Sequence, residues 1–597
     1  MKKGSFKTWG FDDAGDYVDS MKGAWREMHL RAFSPQNAME EVEEVPLKKC
    51  LNWFHVSCLG VGLILGAGIF VSTGTAANEI AGPAVILSFA VAGLSAILST
   101  LCYSEFAVRF PLSGGAFNYL LFSCGELCAF GCVCTLILEY VLANAAVARS
   151  FAPYFGQLIG KGSEFFTFAV SDSLTIDPLA AGLVAVCVIL VVVSTEHSNT
   201  TNLVITVVHV LVVVMIMIVG FVKANPKNMI PFIPPEHGVR GIFEGASFVF
   251  FSFIGFDCVS TMAEEVKNPA VDMPIGIVSC ITFVTIIYIL MALSLVMMVP
   301  YTKIDPRAAF AAAFETAGMP WMRVIVALGA LLGIVTGVLV GSMAVSRIFS
   351  AVGRAHLVFP VIGHVHPKYN TPAISALILG VPTMVLALVS DLPMLVNLVS
   401  AGTLFVFGMV ALALIIKRYS FPPSLALDVT PAQRWLRNGL IAALCGSALA
   451  LGLLYQMDPR FWVYLIMIGI HFALTVALHV LVKQAPKPDY TSPLFPYVPS
   501  ASLLINAWLC STLPASAWIQ YAIFLAIILA VYLVYSAASS VALEEHSALR
   551  RGLSAGPKDP DDLVRVVSET ADHTRLRELA GRDDPKGLEG AKAVQLV

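Results

Sequence analysis

Charged residues are scarce in this sequence. Only 13% of its 597 residues are Asp, Glu, Lys or Arg, and 57% are hydrophobic, whereas soluble chains carry about 25% charged residues. Apolar runs long enough for a helix to cross a bilayer, about 18 residues or more, recur along the chain. The composition therefore predicts a protein with many membrane-spanning helices, and the mean hydropathy of +0.79 agrees with this.

The sequence also lacks the motifs of other protein classes. Its predicted membrane-spanning segments contain no HExxH, GxSxG or paired-aspartate motif, so we do not expect an enzyme. Its 12 cysteines are spaced unlike a disulfide framework or a zinc site, and neither a metal nor another cofactor is expected. The net charge of -3 comes without a basic stripe, so no nucleic-acid partner is expected, and nothing identifies a protein partner.

Long apolar segments bounded by Pro, Gly or charge predict fourteen transmembrane helices. Their predicted bounds are 54–76, 83–106, 125–149, 179–195, 200–222, 241–262, 274–299, 321–350, 373–390, 393–416, 438–456, 461–483, 499–514 and 517–538. An even number of spans puts the two tails, residues 1–50 and 541–597, on one side of the membrane. Four basic residues around one loop favour the cytosol for that side: Lys417, Arg418, Arg434 and Arg437.

The first predicted helix contains a weak point. Residues 60–74 read GVGLILGAGIFVSTG, with five glycines, and an interior glycine costs a helix about 1 kcal/mol relative to alanine. Irregular backbone at mid-membrane survives only where it lines a cavity or holds a ligand. We therefore predict an unwound turn at Gly66, Ala67 and Gly68, and its free N–H groups would attract a carboxylate.

The sixth predicted helix carries a counterpart to this weak point. Residues 248–265 read FVFFSFIGFDCVSTMAEE, with Gly255 close to an unpaired carboxylate, Asp257, at mid-span. Two broken helices that lie five helices apart are typical of an inverted five-helix repeat, and carbonyl groups freed on the second would receive an ammonium group. Together the breaks would bind a zwitterion. The alternative is that the glycines only let neighbouring helices pack closely.

Five segments carry a family resemblance. They read LGAGIFVSTG (65–74), LEYVLANAAVARS (138–150), FFSFIGFDCVSTMAEEVKNPAVDMPIGI (250–277), GSMAVSRIFSAVGRAHLVFPVIGHVHPKYNTP (341–372) and LVSAGTLFVF (398–407). Together they resemble the cationic amino acid transporter family of the amino acid/polyamine/organocation superfamily, and most of all its plant and algal branch. The resemblance implies an all-α membrane protein of the LeuT type, with an inverted 5+5 helix repeat in residues 51–420 and four additional transmembrane helices in residues 421–540.

The same resemblance implies a substrate site between helices 1, 3, 6 and 8. The first break would bind the carboxylate of an amino acid, and carbonyl groups around both breaks would bind its α-amino group. Two acidic residues would complete the site. The substrate-binding residues implied in this way are Ile64, Gly66, Ala67, Gly68, Glu139, Phe251, Ile254 and Asp257.

The acidic residues bear on the charge of the substrate. Glu139 and Asp257 would put two carboxylates beside one pocket, with no evident basic partner in the nearby spans. Both cannot stay ionised in a low dielectric without a cation, and the side chain of arginine, lysine or ornithine would supply it. Alternatively, Glu139 is a structural acid on the third helix, and the protein carries neutral amino acids or a broad range of them.

A single histidine lies in the fifth predicted helix. His209 is isolated in the apolar run NLVITVVHVLVVV, at a position where some proton-coupled relatives carry a lysine. Histidine titrates near neutrality, so His209 is the predicted proton-coupling residue. Facilitated transport without a proton and coupling to sodium are the alternatives.

Two adjacent acidic residues end the sixth predicted helix. Glu264 and Glu265 are predicted to close an inner gate by pairing with Arg347 or Arg354, unless they are only a solvated helix end.

These features predict a secondary active transporter that moves cationic L-amino acids through the lipid bilayer by alternating access, with a coupling proton. A hypothesis from another class is an amino acid sensor that signals through its tails. The plasma membrane is favoured over a vacuolar membrane or another endomembrane, and both termini are expected in the cytosol.

Overall fold

A computed structural model of the chain describes residues 49, 51–111, 114–171, 174–193, 198–355, 357–366, 371–420, 430–457, 460–486, 488 and 490–536. The two predicted tails, 1–50 and 541–597, lie outside the described residues except for Lys49. The chain forms two compact units. Of the described residues, those within 29–352 and 361–530 belong to the larger unit, and those within 353–360 and 531–536 belong to the smaller.

The described residues are almost entirely helical. Their α-helices are Trp53–Ile64 (α1), Gly68–Thr75 (α2), Val85–Arg109 (α3), Ala116–Cys124 (α4), Glu126–Arg149 (α5), Phe151–Leu158 (α6), Pro178–Val193 (α7), Ser198–Val222 (α8), Arg240–Val249 (α9), Phe256–Ser260 (α10), Pro269–Met298 (α11), Ala309–Thr316 (α12), Pro320–Arg354 (α13), Ala373–Val389 (α14), Leu392–Tyr419 (α15), Pro431–Gln456 (α16), Phe461–Leu481 (α17), Tyr497–Ser511 (α18) and Ala515–Val531 (α19). Two antiparallel strands, Phe168–Ser171 (β1) and Leu174–Ile176 (β2), lie between α6 and α7.

Many of these helices suit a membrane. Within the described residues, eight are long and apolar enough to cross one, and counting each of two bent pairs as one span raises the number to ten. Three shorter apolar helices accompany them: Pro178–Val193, Val207–Val222 and Ala373–Val389. The prediction of an integral membrane protein built from helices is thus confirmed. A helix lies in each of the fourteen predicted segments, but that all fourteen cross the bilayer stays a prediction.

The helix ends differ from the sequence-based bounds where local capping extends a helix into polar sequence. The helix α11 begins at Pro269 rather than at 274, because proline suits the first turn of a helix. The helix α16 begins at Pro431 rather than at 438, because Thr430 and Gln433 form a capping box. Three short helices, α4, α6 and α12, were not predicted because none contains a long apolar run.

The first broken helix rests on α11, which also packs along α3. Ser57 of α1 and Ser279 of α11 form a hydrogen bond of 2.8 Å between their hydroxyl groups. Gly276 of α11 faces Val56 so closely that a Cβ atom would lie 2.7 Å from its nearest side-chain carbon. This close packing fixes α1 beside α11, and the start of the second broken helix packs on α3.

Candidate functional site at two broken helices

The first break lies where the glycines predict it. The helix α1 ends at Ile64 and α2 begins at Gly68, with a bend of 47° between them. The N–H groups of Phe70 and Val71 both donate to the carbonyl oxygen of Ala67. No side chain caps this helix start, and the N–H groups of Gly68 and Ile69 find no backbone acceptor among the described residues. The break therefore presents free donors to an anion.

The second break interrupts the segment between α9 and α10. A 3-10 turn, Phe250–Phe253, follows α9, the backbone is extended at Ile254, and the two parts of the helix are bent by 46°. Gly255 has a φ of 112°, which side-chain-bearing residues adopt only with strain, so glycine is required here. In this turn the carbonyl group of Phe251 accepts the N–H group of Ile254 at 3.3 Å, and a carbonyl oxygen can accept a second donor.

The two breaks touch each other. A Cβ atom on Gly68 would lie 2.8 Å from the Cα atom of Ser252, and one on Gly255 would lie 3.4 Å from the carbonyl oxygen of Leu63. The hydroxyl groups of Ser72 and Ser252 form a hydrogen bond of 2.8 Å. Both interruptions thus meet at one place, and Gly68 is needed there because any side chain would strike backbone.

Tyr288 of α11 connects the two breaks from behind. Its hydroxyl group lies 2.8 Å from the carbonyl oxygen of Ile64 and 3.0 Å from that of Ser252, and shares its single proton between the two acceptors. The Ile64 oxygen also accepts the N–H group of Gly66 at 2.7 Å. The carbonyl group of Ile64, predicted to bind the amino group of a substrate, already has two donors in this structure.

We expect Tyr288→Phe to lower both stability and transport. The change leaves two buried carbonyl oxygens without their hydroxyl donor, at a cost of about 1–3 kcal/mol, and loosens the contact between the breaks. The expected result is a lower unfolding temperature and amino acid uptake reduced about 10-fold, the equivalent of roughly 1.4 kcal/mol. The matched control is Tyr301→Phe, since the exposed Glu236 is the only partner of the Tyr301 hydroxyl group within the described part of the chain. Equal effects of the two changes would contradict this account of Tyr288.

A cavity of about 150 Å³ opens at the meeting point of the breaks. Seven residues singled out from the sequence line it, namely Ile64, Gly66, Ala67, Gly68, His209, Phe251 and Ile254. The remaining wall comes mainly from α5 and α13, and includes Tyr140, Ala143, Asn144, Val147, Gly333, Thr336, Gly337, Val340, Gly341 and Ala344. The cavity has room for one small molecule, with unpaired backbone donors at one end of the first break.

The eighth predicted helix, here α13, was expected at the site, but the glycines that form its part of the wall were not identified from the sequence. Gly333, Gly337 and Gly341 recur every four residues, which places them on one face of a helix. A Cβ atom on Gly341 would lie 2.2 Å from the side-chain oxygen of Asn144, so α13 approaches α5 closely at this point. The spacing of these glycines in the sequence could have predicted this close approach of α13 to its neighbours.

The two acidic residues do not line the cavity. Glu139 is 2% exposed and Asp257 is 7% exposed, and each has one carboxylate oxygen without a hydrogen-bond partner among the described residues. Their neighbours in sequence, Tyr140 and Cys258, line the cavity and are hydrogen-bonded to each other through their side chains. The acids thus adjoin residues of the wall without lining the cavity themselves, and two ionised carboxylates buried here would repel each other.

His209 sits between the first broken helix and α13. It is 3% exposed, its ring centre lies 5.6 Å from that of Phe70, and its Nε2 atom would be 2.9 Å from a Cβ atom on Gly333. That nitrogen has no hydrogen-bond partner among the described residues. His209 is thus a buried polar group at the edge of the cavity, in contact with two helices of the site.

The predicted inner gate is only partly described. The side chain of Glu264 lies outside the described residues, and Arg347 has an exposed side chain. No ion pair joins Glu265 to Arg347 in the part of the chain that the structure describes. The backbone of Glu265 accepts the N–H group of Leu51 at 3.0 Å, which ties the chain before α1 to the end of the sixth segment. The gate stays a prediction.

Known proteins are similar to this chain over most of its length. Residues 51–478 match a family model described as amino acid permease, and residues 490–540 match one described as C-terminus of AA_permease. Cationic amino acid transporter 1 of Arabidopsis thaliana is 36% identical, with 92% of this chain and 94% of that protein covered. For the vacuolar cationic amino acid transporter 8 of the same plant the values are 33%, 89% and 91%, and for cationic amino acid transporter 4 of Homo sapiens they are 31%, 82% and 88%.

The family and these relatives are transporters, not enzymes, and an amino acid substrate and membrane lipid follow from the family. The resemblance of the five sequence segments is confirmed over nearly the whole chain. The chain belongs to the cationic amino acid transporter family of amino acid permeases, close to its plant members.

Proposed function

We propose that the protein is a secondary active transporter of cationic L-amino acids, such as arginine, lysine and ornithine, and that it works by alternating access. The observation that carries the proposal is the meeting of two broken helices at one cavity. Free N–H groups at Gly68 and Ile69 suit the carboxylate of an amino acid, and the carbonyl groups of Phe251 and Ile254 suit its α-ammonium group. This arrangement recognises the part that all amino acids share.

Preference for a cationic side chain rests on the two buried acids. Glu139 and Asp257 would repel each other if both were ionised, and each is followed in sequence by a residue that lines the cavity, Tyr140 or Cys258. A negative potential in a low dielectric reaches several ångströms, so a cation in the cavity relieves the repulsion. The names of the relatives, cationic amino acid transporters, indicate the same class of substrate.

One observation favours a second candidate, a carrier of neutral or many kinds of amino acid. The cavity wall in the described residues is formed by backbone and by neutral side chains, apart from His209, and neither acid lines it. A small neutral side chain fits such a wall without a charge partner. The experiment below separates the two candidates.

Alternating access is supported by the unequal burial of the two halves of the first broken helix. In α2 every residue from Ile69 to Thr75 is buried, whereas in α1 only Val56, Gly60 and Ile64 are. A Cβ atom on Gly74 would lie 2.5 Å from the carbonyl oxygen of Pro306. The α2 side is therefore closed, and opening it requires separation of α2 from the segment before α12.

Proton coupling through His209 belongs to the same proposal. His209 contacts Phe70 of α2 and Gly333 of α13, the two walls that must part when the α2 side opens. Because histidine titrates near neutrality, gain and loss of a proton at this contact would favour different openings. We propose a coupling proton and no other cofactor.

The finer features of fold and location complete the proposal. An inverted 5+5 repeat in residues 51–420 is supported by breaks that fall in the first and sixth predicted helices. Fourteen spans, four further helices in 421–540 and cytosolic tails are proposed together with it. The names of the relatives include vacuolar and chloroplastic members, and for this chain we propose the plasma membrane.

The test is uptake of labelled arginine into proteoliposomes that contain the purified protein, at two external pH values. Unlabelled lysine is expected to compete strongly, alanine weakly and glutamate not at all, and acidic external pH is expected to increase the rate. Competition by alanine as strong as by lysine would overturn the cationic assignment in favour of the second candidate. Rates equal at both pH values would overturn the role of His209, and absence of uptake would favour a sensor.

A further inference from the structure

The helix α18 contacts the substrate-site half-helix α9. At the end of α18, the hydroxyl group of Thr512 donates to that of Ser247 at 2.8 Å and lies 3.3 Å from the carbonyl oxygen of Phe243. The ring of Phe243 stacks on Trp508 with 4.4 Å between ring centres. These contacts link the C-terminal segment, to which the proposed function gives no role, to the helix that leads into the second break.

A second set of contacts links α18 to α3. Ser95 donates to the side-chain oxygen of Asn506 at 3.0 Å, and Asn506 donates to Ser99 at 3.0 Å. Ser99 and Ser502 lie 3.1 Å apart at their hydroxyl oxygens. All four side chains are buried, so this is a closed polar network between two helices.

The helices α3 and α9 are also bonded to each other directly. Ser88 of α3 donates to the carbonyl oxygen of Ile242 at 2.8 Å. A Cβ atom on Gly245 would lie 2.6 Å from the Ser88 hydroxyl oxygen, so the two backbones are in close contact. The helices α3, α9 and α18 thus form a triangle in which every side is joined by buried hydrogen bonds.

Such a triangle resists rearrangement during transport. Buried hydrogen bonds are stronger in a low dielectric than in water, and within a bilayer no water replaces a broken one. Breaking two of the three sides in every cycle would leave several buried polar groups unpaired. The cycle is easier if the three helices keep their contacts and other contacts change.

We propose that α3, α9 and α18 move as one rigid body, and that Trp508 and Thr512 are positioning residues for the substrate site. They act through Phe243 and Ser247 of α9. In this way they position the turn that follows α9, which contains Phe251, a residue of the cavity wall. This inference rests on the proposed function for its uptake readout. It gives the C-terminal segment 490–540 a role in holding the site.

A disulfide across the contact tests the rigid body. In the double variant Ser247→Cys with Thr512→Cys, the two thiols replace hydroxyl oxygens 2.8 Å apart, close enough for a disulfide once the side chains rotate. If the helices move together, oxidation cross-links the double variant completely, at the same rate with and without bound arginine. The arginine uptake of the oxidised protein is then within about twofold of that of the reduced protein, a difference of roughly 0.4 kcal/mol. Each single variant is a control for the native cysteines.

Two outcomes would overturn the inference. One is slow or arginine-dependent cross-linking on a gel, which reports on the contact even in a protein that takes up no arginine. The other is a loss of uptake of about 10-fold or more on oxidation that a reductant reverses. Failure of the proposed function looks different, because uptake would then be absent in the unmodified protein as well.

Separate variants test the positioning role. Ser247→Ala and Thr512→Val remove the same hydrogen bond, so each is expected to raise the KM for arginine about threefold. The double variant is expected to raise it no more than either single variant, because the effects of two changes to one contact are not additive. The matched control is Thr475→Val, whose hydroxyl group bonds that of Ser500 at 2.6 Å between α17 and α18, and its KM should not change. Additive effects, or an equal effect of Thr475→Val, contradict the positioning role.

Discussion

Replacement of Gly68 by valine is expected to abolish amino acid uptake while the protein still folds in the membrane. The first side-chain carbon would lie 2.8 Å from the Cα atom of Ser252 and 3.4 Å from its carbonyl oxygen. Backbone atoms cannot rotate away, so the two broken helices must separate, and overpacking of this kind costs about 1–3 kcal/mol or more. Because the breaks together form the site, uptake should fall at least about 100-fold, or roughly 2.7 kcal/mol.

The matched control for this prediction is Gly131→Val. Gly131 is also a helical glycine, on α5, but a Cβ atom there would have no other atom within 4 Å. Both variants should reach the membrane in similar amounts, and only Gly131→Val should retain uptake. Near-normal uptake by the Gly68 variant would mean that the contact of the two breaks is not part of the substrate site.

Replacement of Glu139 by glutamine is expected to remove the preference for cationic substrates. The change keeps the shape of a side chain that is 2% exposed but deletes one of two mutually repelling carboxylates. A cation in the cavity then loses part of its stabilisation, whereas a neutral amino acid does not. Arginine uptake should fall about 10-fold or more, and uptake of citrulline, a neutral molecule of nearly the same shape, should change little.

The arginine-to-citrulline ratio is the decisive quantity in that experiment. Glu164→Gln makes the same chemical change at a side chain that is 80% exposed and should leave the ratio unaltered. A proportional loss of arginine and citrulline uptake in the Glu139 variant would instead indicate a structural acid. In that case the hydrogen bond between Tyr140 and Cys258 would mark the boundary of a neutral site.

Much of the site was predictable because its signals are local. An isolated glycine costs an apolar helix free energy and a mid-span carboxylate costs more, so Gly66, Gly68 and Asp257 indicated the two breaks without any knowledge of the fold. The structure adds that Gly255 has a positive φ, which explains why this residue is a glycine. Backbone geometry of this kind leaves a mark in the sequence.

Contacts between distant segments left no such mark. Tyr288 is one tyrosine among 16, and nothing near it in sequence indicates that its hydroxyl group bonds Ile64, 224 residues away. The network around Asn506 likewise joins residues about 400 positions apart. That Tyr140 lines the cavity and Glu139 does not depends on the rotation of the helix, which apolar periodicity does not fix in an all-apolar segment.

The central claim is that the main chain at the two breaks binds the charged ends of a free amino acid. Its most direct test is competition for labelled arginine uptake by two analogues: agmatine, which is arginine without its carboxylate, and Nα-acetylarginine, which lacks the charged α-amino group. The account predicts that neither analogue competes at the concentration at which lysine halves arginine uptake. Each analogue leaves one set of backbone groups at the breaks unpaired. Competition by agmatine as strong as by lysine would contradict it.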